Sequence, residues 1–168
     1  ASYNFNGVNQ LKLNQKKIKQ LVVGLHFYQT HPKFISTFIS NKKVKYIKNS
    51  SGIFHPKMYL FYNDLRNWEL LIGIANLTKS AFSRNLEIMS LISNNDIGSE
   101  DVIKTSLSII KKNWKNASSF TKSELRDYEK SRNNLQKERN SLDGTYGSRT
   151  KRNVSTKLLY ETEIGKMS

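Results

Sequence analysis

Four side chains in this sequence have the types and order needed to attack a phosphodiester. His55-Pro56-Lys57 puts an imidazole and an ammonium two residues apart in an apolar run. Gly73-Ile74-Ala75-Asn76-Leu77-Thr78 ends a second apolar run on an amide, and Asn85-Leu86-Glu87 brings a carboxylate eleven residues beyond Asn76. An imidazole is a competent nucleophile near neutral pH, Lys and Asn can hold phosphate oxygens, and a carboxylate can fix an imidazole tautomer by accepting its second N–H.

The flanking patterns predict how the four are positioned. Phe54 to Tyr62 and Trp68 to Ala75 are apolar and aromatic runs of strand length, separated by the polar turn Asn63 to Asn67. A hairpin folded about Leu65 sets position 55 opposite 75 and position 57 opposite 73. Strand alternation then leaves His55 and Lys57 on one face, with Asn76 emerging beside His55. Glu87 has to arrive on a further strand, Leu86 to Ser93, which the hairpin alone does not place.

On these residues the chain resembles the phospholipase D superfamily, in particular the nuclease domain of metal-independent bacterial restriction endonucleases. HPK, IGIANLT and NLE, within residues 54 to 87, follow that family's order of His-x-Lys, Gly-Ser-x-Asn and Glu. Two positions depart from it: Ile74 stands where the family has Ser, and Tyr62 where many members have Asp. The resemblance implies catalytic roles for His55, Lys57, Asn76 and Glu87, no metal and no cofactor. Thr78, Lys79 and Arg84 flank the motif and are the substrate-binding candidates. The superfamily's chemistry uses two His-x-Lys motifs per site, and this chain has one with a Gly-x-x-Asn partner. His31-Pro32-Lys33 repeats the bare spacing, but at a turn ahead of a helix, so the second motif is expected from another copy in a homodimer.

Charge agrees with a polyanionic partner. The 168 residues carry a formal charge of +15, with ten Lys and no Asp or Glu before Asp64. DNA is the first expectation, RNA remains open, and an acidic membrane is the weaker alternative. A chain without Cys has no disulfide, thiolate metal site or Cys nucleophile. Three His without an H-E-x-x-H arrangement give no zinc motif. No apolar run approaches eighteen residues, and no signal pattern opens the sequence, so a cytoplasmic protein without a membrane partner is expected.

The remaining segments predict an α/β fold: a mixed β-sheet flanked by helices, phospholipase D-like, with a polar C-terminal helical extension. Gln20 to Phe27 and Lys43 to Lys48 are strand candidates, the second with Lys on its wet face. Pro32 to Ser40 between them has helical spacing. Thr78 to Ser83 is expected as a short helix or turn. Ser99 to Trp114 is an amphipathic helix with Ser99 as N-cap and Val102, Ile103, Leu107, Ile110 and Trp114 as its stripe. A nuclease domain over 1–116 is followed by a charged extension over 117–168, containing a solvated helix at 121–140, a Gly- and Arg-bearing loop at 143–153 and a short mixed segment at 158–164. His26 is expected to pack or hydrogen-bond locally, and His31 to be a turn residue. The functional expectation is a metal-independent DNA endonuclease of restriction type acting through a phosphohistidine, with further domains or subunits of a restriction system as possible partners. A phospholipid phosphodiesterase or phosphatidyl transferase, and a catalytically weak DNA-binding module, are the alternatives.

Overall fold

The computed structural model describes residues 11–12, 14–48, 52–78, 81 and 85–142, the last five by backbone alone. The chain divides into two compact units, Ala1–Asn133 and Asn134–Ser168. The fold is mixed α/β, as the pattern predicts, with the parallel and antiparallel pairings carried by separate sheets among the described residues.

The parallel pair is built from β1 (Leu21–Gly24) and β2 (Val44–Ile47), with Leu21 opposite Val44 and Gly24 opposite Ile47. Between them runs α1 (Pro32–Phe38), which buries Pro32, Phe34, Ile35 and Phe38. Pro32 loses nothing at the first helical turn, where its missing N–H has no intrahelical acceptor. His31 is the N-cap: its Nδ1 accepts the Lys33 N–H at 3.1 Å.

β1 stops earlier than the apolar run Gln20 to Phe27 suggests. Beyond Leu25 the chain turns through a 3-10 segment, His26–Tyr28, in which Phe27 (φ 56°, ψ 20°) and Tyr28 (φ 53°) are left-handed. That conformation costs an L-residue roughly 1–2 kcal/mol, so neighbouring contacts have to impose it. Tyr28 N–H donates to the Leu25 carbonyl at 3.1 Å, and the Tyr28 carbonyl accepts from Arg132 Nε at 3.2 Å. The Tyr28 ring lies 5.1 Å from that of Tyr128.

The second sheet is an antiparallel meander of β3 (Met58–Asp64), β4 (Asn67–Gly73) and β5 (Met89–Ser93), with β4 central. Met58 faces Ile72 and Leu60 faces Leu70, the register that folding about Leu65 requires. The turn itself is shorter than the polar run predicts: Asp64 pairs with Asn67, and a register shift between Tyr62 and Asp64 absorbs the extra residue. Asp64 accepts the Arg66 N–H at 2.7 Å and fixes that turn. All three strands are also shorter than their apolar runs on the side of the motif, so His55 and Lys57 precede β3 and Glu87 precedes β5.

Two apolar clusters hold the first unit. Leu25, Phe34, Ile35, Phe38, Val44, Tyr46, Phe120 and Tyr128 form one, and Trp68, Leu70 and Ile103 the other. Trp68 and Leu70 alternate on β4, each 2 % exposed, and face α2 (Ser99–Asn116), whose Val102, Ile103 and Leu107 pack there. The cap of α2 is Gly98, left-handed at φ 76°, rather than Ser99. The Ser99 hydroxyl instead donates to the Asn94 carbonyl at 3.0 Å, which ties the helix start to the end of β5.

α3 (Lys122–Leu142) starts with a capping box: Thr121 Oγ1 accepts the Glu124 N–H at 3.2 Å, and Glu124 Oε2 accepts the Thr121 N–H at 2.8 Å. Tyr128 is buried and its hydroxyl donates to the Thr30 carbonyl at 2.8 Å. Lys45, expected on a wet face, is half-buried, with its ammonium 4.5 Å from the Trp114 ring centre and 3.3 Å from the Trp114 carbonyl. Lys48 pairs with Glu124 at 2.7 Å. The expected loop at 143–153 and segment at 158–164 lie outside the described residues.

Candidate active site

The meander brings three motif segments to one end of one sheet. Gly73 N–H donates to the Lys57 carbonyl at 3.3 Å, and Ile74 N–H to the Ile88 carbonyl at 3.1 Å. The run into β3, the run out of β4 and the run into β5 are therefore neighbours, and they carry His55 with Lys57, Asn76, and Glu87 respectively. Gly73 is required at this junction: a Cβ there would meet the Ile88 carbonyl at 2.2 Å and the Met89 Cα at 2.9 Å.

His55, Lys57 and Asn76 line a single open cleft of about 360 Å³. The Lys57 ammonium lies 3.0 Å from His55 Nε2 and also contacts Nδ1. Asn76 is exposed at the cleft, and its carbonyl accepts the Thr78 N–H at 2.8 Å in the turn that follows. Tyr59 braces the frame, its hydroxyl donating to the Ala75 carbonyl at 3.4 Å while burial pushes its pKa up. Ile74, at the position where Ser was expected from the resemblance, is exposed.

Glu87 is at the right end of the sheet but does not line the cleft. It is half-buried and accepts a hydrogen bond from Asn85 Nδ2 at 2.9 Å. The Thr78 hydroxyl accepts the Ala81 N–H at 3.3 Å. Lys79 and Arg84 lie outside the described residues. His31 is committed elsewhere, with its Nδ1 used by the α1 cap. Burial first, then the charges of Arg132 and Lys33, hold its pKa below the usual 6.5.

The other wall of the cleft comes from β1 and the left-handed turn, through Val23, Gly24, His26, Phe27, Gln29 and Thr30. His26 is not merely local: its Nδ1 accepts the Phe54 N–H at 3.3 Å, across 28 positions and one residue before His55. Gly24 lets the two walls meet, since a Cβ there would lie 2.8 Å from the Phe54 carbonyl oxygen. An isolated Gly in a strand run is the one sequence signal for such an approach, and Gly24 in LVVG carries it. No Asp or Glu lines this cleft among the described residues, whereas His26, His55 and Lys57 do. The arrangement thus suits an anion.

A family model described as the NgoFVII restriction endonuclease N-terminal PLD domain matches residues 1–118. The chain belongs to that family. The matched span covers β1 through α2, hence both walls of the cleft and every motif residue of this PLD domain. No curated protein matches the chain. No helix among the described residues is long and apolar enough to cross a membrane.

Proposed function

We propose that this PLD domain is a metal-independent DNA endonuclease whose nucleophile is His55. The observation that carries the reading is the meeting of His55, Lys57 and Asn76 in one cleft, with no Asp or Glu among the described residues lining it, in a restriction-endonuclease family member. The cleavage is two in-line displacements. A ring nitrogen of His55 attacks phosphorus, forming an N–P bond as the P–O bond to one deoxyribose oxygen breaks. His55 of a second copy donates the proton that this leaving oxygen takes up. In the second step that same imidazole removes a proton from water, the water oxygen attacks phosphorus, and the N–P bond breaks to restore His55.

Lys57 and Asn76 bind the non-bridging oxygens and offset the charge that grows on them. Phosphate entry lets Lys57 exchange its contact with the imidazole for one with an oxygen. Glu87 acts after a side-chain shift away from Asn85, accepting the imidazole N–H and fixing its tautomer. Thr78, Lys79 and Arg84 bind the backbone on either side. One His-x-Lys motif per chain makes the complete site a homodimer across a twofold axis. The residues of this chemistry all lie in 1–116, and 117–168 supports the fold or joins other parts of a restriction system.

The test is plasmid cleavage in excess chelator, with wild type against His55→Ala. Wild type is expected to cut and His55→Ala to bind but not cut. Mixing the two should give heterodimers with low turnover. Cleavage only with Mg²⁺ or Mn²⁺ supplied would overturn the metal-free mechanism. DNA binding without any cleavage would favour a catalytically weak module, consistent with Ile74 at the Ser position and Glu87 turned to Asn85. Cleavage of RNA alone would reassign the substrate.

A further inference from the structure

We propose that Phe27, with Ile53, forms a nucleobase subsite beside the catalytic residues, so that the base next to the scissile phosphate leaves its stack and lies on the Phe27 ring. The inference rests on the phosphodiesterase reading of the cleft and names what that cleft holds besides phosphate.

Phe27 lines the same cleft as His55, Lys57 and Asn76, yet 54 % of it is exposed. Its backbone is left-handed, a conformation that Gly or Asn adopts at far lower cost. The neighbouring Tyr28, tied to Tyr128 and Arg132, clamps the turn in that shape. The strain therefore displays an aromatic ring at a basic cleft instead of burying it. Strain held by rigid neighbours clusters at ligand sites.

The other described aromatic residues lining the cleft, Phe54 and Tyr59, belong to its frame. Tyr59 is half-buried with its hydroxyl on Ala75, and a Phe54 ring carbon lies 3.0 Å from where a Gly24 Cβ would be. Ile53, 62 % exposed, is a second large apolar side chain lining the cleft. A flat apolar platform beside a cationic phosphate site, with no Asp or Glu among the described residues lining it, matches one ligand class, a nucleotide with its base turned out. Bases stack on aromatic rings with little regard to sequence. Both faces of a base are covered inside an intact duplex, so the subsite requires single-stranded or locally opened DNA at the cut.

The test uses the full chain carrying His55→Ala and a single-stranded oligonucleotide containing a fluorescent purine analogue at successive positions. Stacking on Phe27 should quench the analogue at one position. Adding Phe27→Gly should remove that quench and weaken binding about tenfold without lowering the thermal midpoint, because Gly relieves the left-handed backbone. Phe27→Trp should restore both signals. Equal quench and affinity in Phe27→Gly would overturn the subsite, as would a fall in thermal midpoint that shows the ring serves only packing. A second measurement needs no variant: unsubstituted protein should cut about tenfold more slowly when one nucleotide flanking the cut is abasic. Indifference to abasic nucleotides at every position also overturns it. Failure of the unsubstituted protein to cut any DNA would instead defeat the underlying phosphodiesterase reading, and is seen before Phe27 is touched.

Discussion

Gly24→Ala should slow cleavage without unfolding the protein. The added Cβ would sit 2.8 Å from the Phe54 carbonyl oxygen and 3.0 Å from the Phe54 ring, against an ordinary contact of 3.4 Å or more. Phe54 directly precedes His55 and has to retreat by about 0.6 Å, the difference between 3.4 and 2.8 Å. Its N–H bond to His26, already 3.3 Å long, lengthens with it. A misplacement of about 1 Å costs roughly a hundredfold in rate, so a shift of this size predicts a loss on the order of tenfold. Stability should fall by about 1–3 kcal/mol, the range for inserting a methyl into a packed junction. The assay is single-turnover cleavage at saturating DNA, run well below the thermal midpoint, beside Gly52→Ala, where an added Cβ meets nothing within 4 Å. The rate loss should appear in the chemical step while affinity stays near wild type. A Gly24→Ala protein that is folded and cuts at the wild-type rate would refute the claim that β1 sets the position of His55.

Ending the chain at Asn116 removes Phe120 and Tyr128, both buried, and the Tyr128 bond to Thr30. These contributions sum to about 5 kcal/mol, comparable to a whole domain's stability, so circular dichroism should show no cooperative melt, whereas a chain ending at Leu142 should melt. The His31 cap works only as neutral imidazole, and its folded pKa lies below 6.5. Its contribution is therefore complete above that value and is lost as pH falls through the folded pKa. His31→Asn should flatten the corresponding drop in thermal midpoint; a drop unchanged in size would show that the cap is not its source. Glu124, held at about 2 chiefly by its hydrogen bond to Lys48, contributes above its ordinary 4.5 and loses that contribution as pH falls toward 2. Glu124→Gln should lower the thermal midpoint above pH 4.5 and flatten only the drop in that more acid window. Lys45→Gln should leave the salt slope of DNA binding unchanged, because its ammonium is spent on Trp114; a slope reduced by about one would place Lys45 on phosphate.

The sequence alone determined the local pairings of the site. Alternation in FHPKMYLFY and WELLIGIA, with a polar turn between, dictates a hairpin about Leu65, and Met58 does face Ile72. That register puts Lys57 beside Gly73 with no long-range information, because a hairpin's register follows from its turn. The α2 stripe was legible for the same kind of reason, a helical period over enough residues to fix one face. Tertiary structure decided what meets that hairpin. No periodicity links Phe54 to His26 or Tyr128 to Thr30, which pair across 28 and 98 positions. Propensity in QLVVGLHF favours a strand through Phe27, yet Tyr128 and Arg132 hold Tyr28 left-handed and end β1 at Gly24. The same long-range packing withdrew Lys45 and Lys48 from the basic surface that composition implies. Composition counts charges, but only the fold decides which of them meet a partner inside the molecule.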